Sequence, residues 1–250
     1  MGAITSRRNP LIAQIRALGS DGAYRRERRE FVCAGEKLLR EAAAAGAEVT
    51  VIISCSEPDT SRFPDATAAQ VTREVLRTAS PFNNSRDELF VCRMPDGPLA
   101  PGRRDLRVIL ESIQDPGNLG AIIRAADAFE IGEIIVTGAC ADLYNPKTVR
   151  ASAGAIFRQR VVAMTAEELA GLRAGGVRIY GAAAAGGTDV RETALSGAAV
   201  AIGSEGGGLS GELLGLCDGT VSIPMSPAAE SLNAAVAAAI IMWETWIWRR

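Results

Sequence analysis

The sequence predicts an α/β protein: a domain with a mostly parallel sheet, preceded by a smaller α/β domain. Three observations carry that prediction. From Leu106 onward, short apolar β-branched runs alternate with helical patterns, as parallel strands covered on both faces require. Before that point, strand and helix patterns alternate over a shorter stretch. Between them Met94–Arg104, MPDGPLAPGRR, holds three Pro and two Gly and reads as a linker. The expected domains are therefore residues 1–94 and 106–250, joined by 95–105.

In the first domain, Leu11–Leu18 is an amphipathic helix starting after Asn9-Pro10, and Arg25, Arg26, Arg28 and Arg29 cluster behind it. Phe31–Ala34, Val49–Ser54 and Leu89–Arg93 read as strands, Gly35–Ala45 and Val71–Thr78 as helices, and Ser80–Asn84 as a turn. In the second, the strands are Leu106–Ser112, Glu133–Thr137, Arg160–Ala163, Val177–Ala182, Ala198–Gly203 and Thr220–Met225. The helices are Asn118–Phe129, Pro146–Ala155, Ala166–Arg173, Ser210–Leu216 and Leu232–Trp248.

Composition excludes several chemistries. Without histidine there is no Ser-His or Cys-His nucleophile pair, and zinc sites lose most of their ligands, so no metal is expected. The five cysteines are scattered, odd in number and lack any C-x-x-C, as in a protein of a reducing compartment. No signal-peptide pattern is seen, and the apolar run Ala234–Trp243, broken by Glu244, is too short for a bilayer. A cytoplasmic protein without a membrane partner is expected. Residues 1–40 hold nine Arg/Lys against four Asp/Glu, which suits a polyanionic partner or a solvated surface.

Three stretches carry chemistry. In Ser112–Phe129, Asn118 is expected to cap a helix whose Leu119, Ile122, Ile123 and Ala126 share one buried face. Arg124 lies off that face, near the carboxyl end of a strand, where open α/β sheets bind ligands. Taken alone, Arg124 reads first as a surface residue paired with Asp127 at i+3. In Ala198–Gly211 a small-residue strand runs into Gly203, Ser204, Glu205 and three glycines. Glu205 is either solvated or paired with a cation such as Arg124. Gly206, Gly208 and Gly211 also fit G-x-G-x-x-G, which keeps a nucleotide-dependent oxidoreductase open, although only about forty residues follow. In Thr220–Trp243 a strand, a tight loop and a helix start meet, with Ser231 or Asn233 as cap. Along that last helix Val236, Ile240, Trp243 and Ile247 form one stripe, and Ile241, Met242, Trp246 and Trp248 make other sides apolar too. Arg150, Ser152 and Gly154 in RASAGA are lesser candidates.

Together DPGNLGAIIRAADAF (115–129), IGSEGGGLS (202–210) and SIPMSPAAESLNAAVA (222–237) resemble the three signature motifs of the SpoU/TrmH family, 2′-O-ribose RNA methyltransferases of the SPOUT class. Arg150–Ala155 resembles the family's K/R-A-S-x-G-A segment, and the likeness covers residues 106–250. REFVCAGEKLLREA (29–42) is similar to the start of the family's N-terminal substrate-binding domain, which is L30e-like, although Cys33-Ala34 stand where relatives carry a Glu. The resemblance implies a deep C-terminal trefoil knot holding S-adenosylmethionine, with Gly203, Ile223 and Leu232 at cofactor-binding positions. It implies a homodimer, and active-site roles for Asn118, Arg124, Glu205, Ser231 and Asn233. Arg124 matches the family's proposed base. Since a guanidinium holds its proton tightly, orienting the hydroxyl and phosphate is the role expected of it here, with Glu205 positioning it. The substrate expected by analogy is ribosomal RNA, with transfer RNA and a non-catalytic RNA-binding protein as alternatives.

Overall fold

A computed structural model of the protein describes residues 3–82, 88–102 and 105–247. In chain order it runs α1 (Pro10–Ser20), α2 (Gly22–Arg28), β1 (Glu30–Ala34), α3 (Glu36–Ala44), β2 (Val49–Ser54), β3 (Thr67–Gln70), α4 (Arg73–Ala79) and β4 (Glu88–Arg93). There follow β5 (Arg107–Glu111), α5 (Pro116–Ala128), β6 (Glu133–Thr137), α6 (Pro146–Ser152), β7 (Val161–Ala163), α7 (Ala166–Ala174) and β8 (Ile179–Ala182). The rest is β9 (Thr188–Asp189), β10 (Ala199–Ile202), α8 (Gly211–Leu216), β11 (Gly219–Ser222) and α9 (Ala234–Ile247). Parts of the expected Ser80–Asn84 turn and Met94–Arg104 linker, and Trp248, lie outside the described residues.

The chain divides into two units, residues 1–97 with 142–157, and residues 98–141 with 158–250. Residues 142–157, read from the sequence as part of the second domain, thus cluster with the first. Aromatic packing and one ion pair account for it: Phe31 on β1 meets Tyr144 and Phe157 at ring separations of 4.7 and 6.1 Å. Arg25, only 4% exposed, sets its guanidinium on Asp142 at 2.6 Å.

The first unit holds a four-stranded sheet in the order β1-β4-β2-β3, parallel only between β2 and β3. Ile12, Leu18, Val32, Ile53, Leu76 and Leu89 fill its core. Two elements here escaped the sequence pattern. β3, TAAQ, is mostly exposed and has no apolar alternation; edge pairing with β2 makes it a strand. α2 is an Arg-rich turn and a half started by Asp21, whose carboxylate accepts the Ala23 and Tyr24 N–H groups. The Arg cluster is therefore largely structural. Arg25 holds Asp142, Arg28 faces Glu30 at 3.8 Å, and Arg29 reaches Asp96 and the Pro95 carbonyl.

The second unit holds a seven-stranded, all-parallel sheet in the order β7-β6-β5-β10-β8-β11-β9. Ile109, Ile135, Ile179, Ala199, Ala201 and Leu213 form part of its core. The two-residue β9, missed in the sequence, exists through its pairing with β11. Helix α5 presents Leu119, Ile122, Ile123 and Ala126 as its buried face, as the periodicity requires, and packs on α9. Its cap differs from expectation. Asp115 accepts the Asn118 N–H at 2.8 Å, Pro116 opens the helix, and Asn118 sits three residues further in, its side chain not used in the cap. Among the described residues no helix is long and apolar enough to cross a membrane.

Candidate active site

In the second unit the carboxyl ends of β8, β10 and β11 open into a cleft of about 250 Å³. This is the sheet edge where parallel α/β folds bind ligands, because helix N-termini and loops converge there. Ala182–Ala184 form one side of it. Ile202, Val221, Ile223 and Ile241 make apolar walls, and among the described residues Glu205 is the only charged one lining it.

The loop after β10 shapes one wall. A Cβ at Gly203 would stand 2.1 Å from the Gly208 carbonyl, so the loop returns onto a position only glycine can hold. Ser204 ties the return, its Oγ accepting the Gly207 N–H at 3.2 Å and its carbonyl the Gly208 N–H at 2.9 Å. Gly208 takes the left-handed conformation, at φ +64°. Gly206 and Gly211 stand in open space, so the G-x-G-x-x-G spacing corresponds to no close backbone approach at those two positions. The far end of the loop is held by Glu111, at the end of β5. Its carboxylate accepts the Ser210 N–H and hydroxyl, both at 2.7 Å. Neither Glu111 nor Ser204 was singled out from the sequence. The one available signal was an acid at the carboxyl end of a strand.

The predicted residues fall into three groups. Gly203, Glu205, Ile223, Ser231 and Leu232 line the cleft. Asn118 and Asn233 join Glu205 in a chain of hydrogen bonds. The Asn118 amide nitrogen donates to Glu205 Oε1, and the Asn233 amide nitrogen donates to Asn118 Oδ1 at 3.1 Å. Asn233 is also the cap of α9. Its Oδ1 accepts the Ala235 and Val236 N–H groups at 3.0 and 3.3 Å, and its carbonyl accepts the Ala237 N–H. Cap and site residue are thus one side chain, and Ser231 is left exposed in the loop.

Arg124 forms the third group alone. It is exposed on α5 and makes no hydrogen bond or ion pair with any described residue. Both pairings considered for it differ in the structure. Asp127 holds Arg158 at 2.8 Å, and the described partner of Glu205 is Asn118. A free guanidinium near a sheet edge can meet a ligand phosphate or hydroxyl, since its fork of donors is unoccupied.

No cysteine offers a ready thiolate here. Burial pushes the thiols of Cys140 and Cys217 above their ordinary values. No group of three or more His, Cys, Asp or Glu side chains suited to a metal occurs among the described residues. Of the RASAGA candidates, Ser152 is buried with its hydroxyl on the Val149 carbonyl at 2.8 Å, a structural role.

Residues 105–243 match the SpoU rRNA Methylase family. The chain belongs to this family. All three motif stretches lie inside the matched span. Among relatives, the 23S rRNA (guanosine(2553)-2'-O)-methyltransferase RlmP of Bacillus subtilis (strain 168) is 33% identical, over 85% of this chain and 87% of that protein. The 23S rRNA (uridine(2479)-2'-O)-methyltransferase of Streptomyces viridochromogenes is 34% identical, over 96% and 90%. Among solved structures, the AdoMet-bound rRNA methyltransferase from Sinorhizobium meliloti superimposes with a TM-score of 0.88 at 27% identity, covering 100% of this chain and 98% of that one. The SpoU methyltransferase AviRb from Streptomyces viridochromogenes, in complex with AdoMet, gives 0.86 at 31% identity, covering 97% and 98%. Membership of the family removes the oxidoreductase reading of the glycine loop.

Proposed function

We propose that the protein transfers a methyl group from S-adenosylmethionine to the 2′-hydroxyl of a ribose in ribosomal RNA. The observation that carries this reading is the cleft at the carboxyl ends of β8, β10 and β11, joined through Glu205 to the chain of Asn118 and Asn233. The named activities of the two relatives, each matched over most of its length, support the reaction and the choice of ribosomal RNA.

The residues fit the cofactor. The cleft is apolar along Ile202, Ile223 and Ile241, narrow at Gly203, and carries one negative charge, opposite in sign to a sulfonium. Gly203, Ile223 and Leu232 would hold it. When bound, it supplies an already activated methyl group. What remains for the chain is to align the ribose hydroxyl and ease loss of its proton. Arg124, free of partners, orients that hydroxyl and the neighbouring phosphate by charge-assisted hydrogen bonds. Glu205 holds Asn118, Asn118 is held in turn by Asn233, and Ser231 borders the cleft, so the polar edge is set before substrate arrives.

The strand order supports a deep trefoil knot. β10 enters the sheet between β5 and β8, and β11 enters between β8 and β9, so late segments insert among strands already placed. A homodimer is supported by α9. Of its predicted stripe, Val236 and Trp243 remain 47% and 46% exposed, which a lone soluble chain rarely leaves uncovered. Trp246, on another side of the helix, is half-buried against Phe129 of its own chain, at a ring separation of 6.3 Å. Residues 1–94 act as the L30e-like, RNA-binding part, and the protein works in the cytoplasm.

The test is direct. Purified protein, methyl-labelled cofactor and ribosomal RNA lacking the modification should yield label in a single 2′-O-methylated nucleotide. Label found only in transfer RNA, or in a base rather than a ribose, would overturn the reading.

A further inference from the structure

The first unit has a cleft of its own, of about 250 Å³, and among the described residues none of the glycine loop lines it. Its walls come from the end of β1, the first turn of α3, Phe82 and helix α6. Two cations line it. Lys37 and Arg150 are exposed, and neither meets a carboxylate among the described residues, whereas Arg7, Arg25, Arg28, Arg29, Arg40 and Arg93 of this unit each face one. The neighbouring Glu36 faces Arg40 at 3.7 Å. Arg150 lies over the Phe82 ring, 5.6 Å from its centroid, which fixes the guanidinium against an aromatic face.

A second feature points the same way. α3 begins at Gly35, with φ +91°, and no side chain caps it. The Leu38 amide is bonded to the Gly35 carbonyl at 3.0 Å, which leaves the Glu36 and Lys37 amides to carry the positive end of the helix dipole beside Lys37. The remaining wall is neutral and apolar: Ala34, Leu38, Val149 and the Cys33 thiol, which burial, with Cys92 beside it, holds far above its ordinary value.

A site that sets two cations beside an aromatic ring and apolar side chains matches a nucleotide, phosphate to the cations and base to the ring and the apolar wall. Among the described residues no carboxylate or amide side chain lines the cleft to read a base edge. The base would be held without regard to its identity, which suits a link of a polymer better than a free nucleotide. We propose that this cleft anchors one splayed-out nucleotide of the substrate RNA, its phosphate among Lys37, Arg150 and the α3 amides, its base among Phe82, Leu38 and Val149. The proposal rests on the reading that the protein acts on RNA.

The test uses full-length protein and a fluorescein-labelled, mixed-sequence single-stranded RNA octamer, with affinity read by anisotropy over a KCl series. Lys37→Ala and Arg150→Ala should each weaken binding and lower the salt slope by about 0.7, the value of one single-strand phosphate contact. Phe82→Leu should weaken binding roughly tenfold at unchanged slope, and Phe82→Tyr should restore it. Arg16→Ala, an exposed cation of the same unit that does not line the cleft, is the comparison for a general charge effect. Calorimetric cofactor affinity equal to wild type verifies that each variant is folded. Equal affinity and slope in wild type and all three cleft variants would overturn the proposal, as would free AMP competing as well as the octamer. Failure to methylate ribosomal RNA despite cleft-dependent binding would remove the enzyme reading and leave the cleft. Full methylation with cleft-independent binding would remove the cleft alone.

Discussion

Asn233 performs two tasks with the two ends of one amide, and substitution can separate them. Its oxygen caps α9 through two N–H groups, and its nitrogen donates to Asn118 at 3.1 Å. Asn233→Ala removes both. Loss of the cap costs about 1 kcal/mol of stability, and loss of the donor about another 1 kcal/mol of the coupling that holds Asn118. Asn233→Asp keeps the acceptor oxygen of the cap and adds a charge that the helix N-terminus favours by roughly 0.3–1 kcal/mol, so the cap survives. The donor does not survive, and Asn118 Oδ1 then faces a carboxylate. Its amide must turn, and Glu205 loses its described partner. All three tryptophans lie at positions 243, 246 and 248, so fluorescence in a denaturant series reports on the end of this helix. The Ala variant should lose about 1 kcal/mol by that measure while the Asp variant loses none. Single-turnover methyl transfer should fall in both, by about fivefold to tenfold in the Asp variant. An Asp variant with the wild-type transfer rate, or an Ala variant as stable as wild type, would refute the two-ended role.

Four other outcomes are expected. Arg124→Ala should abolish methyl transfer with cofactor affinity nearly unchanged by calorimetry, and Arg124→Lys should also fail because an ammonium lacks the planar fork; turnover near wild type in either would sink the assignment. Gly203→Ala should lose cofactor binding, since its Cβ would collide with the Gly208 carbonyl; calorimetry with retained far-UV dichroism checks it. Trp243→Glu should shift the protein toward monomer in sedimentation velocity, and a wild-type protein that is active yet monomeric at micromolar concentration would show the interface to be misread. Glu88 has a carboxyl oxygen buried without a hydrogen-bond partner among the described residues, and desolvation, then Glu36 and Asp59, raises its pKa. With the folded value above the unfolded one, its charged form opposes folding, so stability falls as pH rises through that window. Glu88→Gln should therefore raise the denaturation midpoint at pH 7, and the gain should vanish below the ordinary carboxylate range.

Much of this was legible from local pattern. The α5 face at Leu119, Ile122, Ile123 and Ala126 follows from period alone, because burial on a helix needs apolar residues at fixed spacing, and the strand Glu133–Thr137 follows from its short apolar, β-branched run. The glycine at 203 and the small-residue loops marked where backbone approaches something closely. Tertiary pairing decided the rest. β3 and β9 are strands because neighbours supply their hydrogen bonds, a cause absent from their own side chains. Residues 142–157 cluster with the first unit because Phe31 and Arg25 offer an aromatic face and a buried charge that only folding brings to Tyr144, Phe157 and Asp142. The partner of Glu205 was beyond sequence reach for the same reason. A carboxylate will take any donor of suitable geometry, and choosing Asn118, 87 residues away, over a cation depends on where α5 and the β10 loop come to rest.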